Sequence, residues 1–226
     1  MRGSPPNSGA DLVAQPGLRW ISVDASNTSG HIGCVPRPSL KDQIVEAAVE
    51  TLQRHGFHAS SVSDITEAAK APKGSFSNHF KSKEDLAAEA LDRYWQRVVA
   101  SSAALGESRP AAITRLKRYF RYLHEISRKR DYDVGCMLGN MSTEMADHSR
   151  VIRDRLAAML GSWTRAIEAC VEEAQADGSI RRDLDAGAIA AFLLNSWEGA
   201  VLRSRVDKTA AAFDAFEKVV FTCLAP

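Results

Sequence analysis

The chain of 226 residues contains no run of about 18 apolar residues, so nothing in it reads as a membrane-spanning helix. Cysteine is scarce. Cys34, Cys136, Cys170 and Cys223 are scattered without C-x-x-C spacing, which argues against a zinc ribbon or a disulfide framework and suits a reducing cytoplasm. The N-terminal stretch lacks the apolar centre of a signal peptide. Charge imbalance is missing as well, the formal net charge being +1, so no overall basicity advertises nucleic acid. No alternation of apolar and polar residues is sustained long enough for a strand. His124, His148 and Cys136 have no metal-ligand spacing; neither a metal nor a cofactor is expected.

What is present is helical periodicity. Residues 1–38 are rich in Gly, Pro, Ser and Asn without an apolar period, and read as a disordered extension. The opening Met1-Arg2-Gly3-Ser4 suits either an added leader or an over-long start. From Ser39 onward the chain reads as all-α, with about nine helices. Ser39 is a candidate N-cap for a helix with Leu40, Ile44, Ala48 and Leu52 on one face, which Gly56 stops. Ser60 or Ser61 caps the next helix, and Ser82 another, with Asp85 in its first turn running towards Gly106. Pro110 opens a helix through Leu116 and Phe120. A short helix is expected over Val134 to Ala146, then a long one with Ile152 to Val171 at helical spacing, which Asp177-Gly178 ends. Asp185 caps a helix carrying Phe192 and Trp197, and a last helix carries Phe213, Phe216 and Phe221.

The stretch from Ser61 to Leu86 carries the chemistry. Two short helices flank a turn at Ala69-Lys70-Ala71, and the charge there is local: Lys70, Lys73, Lys81, Lys83 and His79 occur with no acidic residue between Lys70 and Lys83. Pro72 suits the N-terminus of a recognition helix. That helix aims Lys73, Ser75, Ser77, Asn78 and His79 at DNA. Asparagine pairs bidentately with adenine, and lysine reaches guanine or phosphate. Lys83 is placed to meet a phosphate, beside the N–H groups of the helix it starts.

In order, Gly56-Phe57, Ser60-Ser61-Val62, Asp64-Ile65, Ala69-Lys70-Ala71, Pro72-Lys73-Gly74-Ser75-Phe76-Ser77, His79-Phe80, Ser82-Lys83-Glu84 and Leu86 follow a long pattern. It resembles the TetR family of bacterial repressors. Two positions depart from the family pattern: Lys70 replaces the turn glycine, at about 1 kcal/mol of left-handed backbone penalty, and Ser77 replaces a tyrosine. The resemblance implies an N-terminal helix-turn-helix domain, assigned to residues 39–86 with Ser61 in its DNA face, and a C-terminal helical ligand-sensing and dimerisation domain over residues 87–226. It also implies a cytoplasmic homodimer on double-stranded palindromic operator DNA, a small-molecule inducer, no membrane partner and no enzymatic activity. Phe192, Trp197, Phe213, Phe216 and Phe221 would then supply a dimer face.

Gly135-Cys136-Met137-Leu138-Gly139-Asn140, read with Pro72-Lys73-Gly74-Ser75-Phe76, looks like the branch of that family containing the N-ethylmaleimide-responsive repressors. Cys136 matches the cysteine that senses electrophiles or oxidants there. Its expected place in the first turn of a helix after Arg128, Lys129 and Arg130 favours a thiolate, while Asp131 and Asp133 oppose it. The alternative is a structural cysteine, as expected of Cys170 and Cys223. A non-covalent apolar ligand is the other option, with Trp163, Trp197 and several methionines lining its pocket and Asn140, Glu144, Asn195 or Glu198 anchoring it. An enzyme using Cys136 as nucleophile is a further class, but no base is visibly paired with it. A helical interaction protein with weakened DNA binding is the last.

Overall fold

The computed structural model describes residues 38–226 as one compact unit. The disordered arm expected over residues 1–38 lies, apart from Pro38, outside the described residues. The described chain is all-α, with no strand among the described residues. Its helices are α1 (Leu40–His55), α2 (Val62–Ala68), α3 (Lys83–Ser102), α4 (Ala112–Arg128), α5 (Met137–Met145), α6 (Arg150–Ala176), α7 (Ala186–Asp207) and α8 (Ala211–Cys223). Two 3-10 segments, Lys73–Asn78 and Ala103–Gly106, complete the set.

Local chemistry starts four of these eight helices where expected. Ser39, Ser61, Ser82 and Asp185 each accept a backbone N–H three residues on, which satisfies donors that a helix start leaves open. Gly56 ends α1 at φ +83°, a left-handed position that favours glycine. Two boundaries move. Pro110 lies two residues ahead of α4, whose N-cap is Ala111. The short helix expected from Val134 begins at Met137, so Cys136 is its N-cap rather than part of its first turn.

α1, α2 and α3 pack around Ile44, Leu52, Ile65, Leu86 and Leu91, all fully buried. Arg93 clamps α3 to α1 through Asp42 at 2.8 Å and Glu46 at 2.6 Å. α6 crosses the molecule and packs on α3, α4, α5 and α7, while α5 touches α1, α3 and α6. α5 is therefore wedged between the N-terminal helices and the rest.

The aromatics expected to form a dimer face are mostly core. Trp197, Phe213 and Phe216 are buried, and with Phe120 they make ring contacts of 4.8–5.6 Å. Such pairs add about 0.5–1.5 kcal/mol each beyond their burial. Phe221 is half-buried, and Phe192 alone of the five is exposed. The exposed apolar face of α7 is a different stripe: Ala188, Phe192, Asn195, Gly199, Leu202 and Val206, spaced four and three in alternation. Periodicity marked the inward face, with Ile189, Leu193, Trp197, Ala200 and Val201 buried; the resemblance misassigned its aromatics to a dimer face because apolar residues lie all around α7, and packing against α6 and α8 chose the inner ones.

Candidate nucleic-acid interface and sensor cavity

The turn after α2 is built as foreseen. Lys70 sits at φ +53°, its N–H bonded to the Glu67 carbonyl and the Ala71 N–H to the Thr66 carbonyl, both at 2.9 Å. This is the glycine-type helix stop made with a lysine. Ahead of it, the Ser61 hydroxyl accepts the Asp64 N–H at 3.1 Å and the Asp64 carboxylate accepts the Ser61 N–H at 2.7 Å. Those bonds hold the Asp64 carboxyl below its ordinary range.

Beyond the turn, Lys73–Asn78 coils as a 3-10 segment with Pro72 as its N-cap. Lys73, Ser77, Asn78 and His79 are exposed. Among the described residues, Lys70, Lys73 and Lys81 carry no ion pair, so their charge is free to meet an anion. The exposed Ser77 hydroxyl donates to the Gly74 carbonyl at 3.1 Å, and two other expected DNA contacts are turned inward. Ser75 is buried and its hydroxyl donates to the Pro72 carbonyl at 2.6 Å. The Lys83 ammonium donates to the Ser60 carbonyl at 2.6 Å and lies 4.1 Å from the centre of the Phe57 ring. Burial lowers its pKa. A short polar side chain on the inward side of the segment and a long cation beside a free carbonyl both find intramolecular partners. The start of α3 is also occupied by its own groups, since the Asp85 carboxylate accepts the Lys81 N–H at 3.1 Å.

The second constellation surrounds Cys136, which forms part of the walls of two cavities. One, of about 390 Å³, is lined by Tyr94, Val98, Ile126, Trp163 and Trp197 among others. The other, of about 570 Å³, lies between α5 and α7 and is bounded by Gly139, Asn140, Glu198, Leu202 and Arg205. Trp163 is fixed by its indole N–H, which donates to the Tyr119 hydroxyl at 2.6 Å.

Cys136 itself is buried. Burial and the charge of Glu198 push its thiol well above the ordinary range. The basic residues expected to activate it look elsewhere: Arg128 pairs with Glu125, and Arg130 with Glu50 and Gln53. Desolvation outweighs the helix N-terminus, which acts only over short range and here receives no capping bond from the thiol. Cys170 is buried as expected, while Cys223 is exposed. Among the described residues no cluster of three or more His, Cys, Asp or Glu has metal-binding geometry.

Of the anchors expected from sequence, Asn140 and Glu198 reach a cavity wall, and Asn195 is exposed on the outer stripe of α7. Glu144 lines neither cavity. Its carboxylate instead accepts the His58 N–H at 2.9 Å and presses against Gly56, where an added Cβ would stand 2.0 Å from Oε1. The Asn140 amide donates to the Gln53 carbonyl at 3.0 Å while its oxygen accepts from Arg205 at 3.1 Å. The Gln53 amide in turn donates to the Gly135 carbonyl at 2.7 Å. Sequence reasoning missed Gln53, although it continues the buried row Val45, Val49 at a spacing of four.

An exposed basic 3-10 segment behind a capped helix and turn, joined to a helical body with internal cavities, is the build of a ligand-responsive helix-turn-helix regulator. The sequence families agree. Residues 44–90 match "Bacterial regulatory proteins, tetR family" and residues 112–220 match "Tetracyclin repressor-like, C-terminal domain". The HTH-type transcriptional repressor DhaR of Mycobacterium sp. (strain GP1) is 36% identical over 84% of this chain and 94% of that protein. The transcriptional regulator AcuR of Cereibacter sphaeroides is 33% identical over 82% of this chain and 86% of that protein. A TetR regulatory protein from Rhodobacter sphaeroides superimposes with a TM-score of 0.79 at 28% identity, over 83% of this chain and all of that one. Reduced NemR of E. coli does so at 0.72 with 18% identity, over 82% and 97%, a likeness of fold alone. The chain belongs to the TetR family of transcriptional regulators. It is a DNA-binding regulator rather than an enzyme, and no described helix is long and apolar enough to cross a membrane.

Proposed function

We propose that the chain is a homodimeric repressor that holds a palindromic operator through Lys73, Ser77, Asn78 and His79, and releases it when a small inducer occupies the cavities beside Cys136. Residues 39–86 form the operator-binding part and residues 87–226 the sensing and dimerising part. The observation that carries this reading is the polar bridge between the two. Asn140, Glu144 and the Gly135 carbonyl tie α5 and the segment leading into it to Gln53 and to the α1–α2 corner. Two of these, Gly135 and Asn140, also border the cavity wall, beside Cys136 and Gly139. A ligand that shifts α5 therefore shifts the base of the reading helices. That makes the coupling a difference in ligand affinity between two states, as allostery requires. α3, which runs from the operator-binding part to Tyr94 beside Cys136, supplies a parallel route.

The α7 stripe through Phe192, Leu202 and Val206 supplies the contact between copies; these side chains are 60%, 63% and 73% exposed, and such a continuous apolar face calls for a partner. A two-fold dimer sets the two reading segments about 34 Å apart, on successive major grooves. Leu202→Glu is expected to yield a monomer in sedimentation velocity with a sharp loss of operator affinity. Fluorescence anisotropy on the DNA flanking the chain's own gene tests the rest. Affinity falls steeply with salt as phosphate contacts release counterions; a salt-independent affinity, or no preference for a palindrome, sinks the operator reading.

A further inference from the structure

Two groups converge on the Cys136 sulfur. The Tyr94 hydroxyl donates to it at 3.6 Å, and the Glu198 carboxyl lies beside it on the wall of the same cavity. Glu198 keeps part of its stem at the groove surface, but its Oε1 is sealed from solvent and has no partner. A buried carboxyl oxygen left unpaired is costly and calls for a reason. Its approach depends on Gly139, where an added Cβ would stand 2.5 Å from Glu198 Oε2. The sequence showed no base for Cys136; the fold brings one from 62 positions away, the only charged residue between Ala186 and Leu202.

Building on the sensor reading above, we propose that Cys136 and Glu198 form a nucleophile–base pair that adds to a small uncharged alkene conjugated to a carbonyl. The sulfur attacks the β-carbon as its proton passes to the Glu198 carboxylate. The S–C bond forms, the S–H bond breaks, and the alkene π electrons move towards the carbonyl. Glu198 then returns the same proton to the α-carbon, leaving a thioether. No oxidant, reductant or leaving group is required. The Tyr94 O–H stabilises the negative sulfur during attack, as a donor aimed at a developing charge does.

Addition suits this site better than displacement. Alkylation by a halide would strand a proton on Glu198 and expel an anion, whereas addition returns the proton to carbon and expels nothing. The cavity walls around Trp163 and Trp197 are mostly aromatic and aliphatic, and their two arginines, Arg97 and Arg130, are already paired with Glu46 and Glu50, which favours an uncharged reagent. Thiolate is scarce at rest, because burial raises the thiol, so the proton must leave during attack. Burial also raises Glu198 to about 7, where a general base works near neutral pH. The ionisable groups facing Glu198 are Cys136 at the start of α5, Tyr94 on α3 and Tyr119 on α4, with Arg205 bordering the same cavity from α7. Both tyrosines are raised and stay neutral.

The test uses the full chain and acrylamide, with peptide mapping by mass spectrometry to read Cys136 and the exposed Cys223 in one tube. In the unmodified sequence the Cys136 rate is expected to rise with pH and level off near 7. In Glu198→Gln it falls about 100-fold and climbs without a plateau, while Cys223 keeps its rate. Glu198→Asp restores part of the plateau. Should Glu198→Gln fail to fold by circular dichroism, Gly139→Ala, which displaces the carboxyl, is expected to slow Cys136 in the same way. An unreactive Cys136, or an undiminished rate in a folded Glu198 variant, overturns the pair. Operator release is scored separately. Release without Glu198-dependent alkylation sinks the pair and leaves the sensor reading standing; alkylation that leaves the operator bound upholds the pair and sinks the sensor reading.

Discussion

The operator-facing segment and the Cys136 site are held by opposite means. Between Ser61 and Phe80 the organising bonds are short in sequence: Ser61 with Asp64, Ala71 with Thr66, Ser75 with Pro72. Around Cys136 the partners arrive from afar, with separations of 42 residues to Tyr94, 82 for Gln53 with Gly135 and 87 for Asn140 with Gln53. The first site exposes its working groups and gives up little stability if one is removed. The second keeps its groups inside the core, so that the proposed sensing would draw on atoms that also hold the fold.

Substitutions sharpen that contrast. The largest effect is expected for Trp197→Ala, which empties the aromatic cluster and should cost about 3–5 kcal/mol in urea unfolding; a loss below about 1 kcal/mol would show that the core collapses to fill the gap. Glu198 sets a smaller, pH-dependent effect. In the fold it holds its proton up to about 7, against an ordinary value of 4.5. Its favourable contribution is therefore full below pH 4.5 and fades as pH rises towards 7. Glu198→Gln should flatten that decline in the urea midpoint, and an unchanged slope would place the linkage in another group.

On the exposed side, Asn78→Ala should weaken operator binding by about 1–3 kcal/mol with the melting temperature essentially unmoved. Ser75→Ala, altering a buried hydroxyl, should do the reverse, with about 1 kcal/mol of stability lost and little change in base preference. If both variants act alike, the division between exposed reader and buried scaffold breaks down. The smallest change is expected for Lys70→Gly, which relieves the left-handed backbone and adds up to about 1 kcal/mol of stability, read as a higher urea midpoint.

Much of this was visible residue by residue. The caps at Ser39, Ser61, Ser82 and Asp185 and the left-handed Lys70 all rest on interactions within a few positions, and the pattern from Gly56 to Leu86 marked the family. The fate of Lys83 was not visible, because its ammonium has a carbonyl and an aromatic ring within reach only after α1, α2 and α3 have packed. The same holds for Glu144, which from sequence reads as a pocket anchor and in the fold braces the α1–α2 corner.

By itself, then, the sequence determined the capped helix starts, the all-α class and a helix-turn-helix segment whose exposed groups need no distant partner. Only tertiary structure decided which aromatics of α7 face inward, that Cys136 is sealed and its thiol raised, and that Glu198 stands beside it. The physical reason is range: capping and turn chemistry act across three or four residues, whereas burial and the pairing of a buried acid with a thiol depend on helices distant in the chain packing against one another.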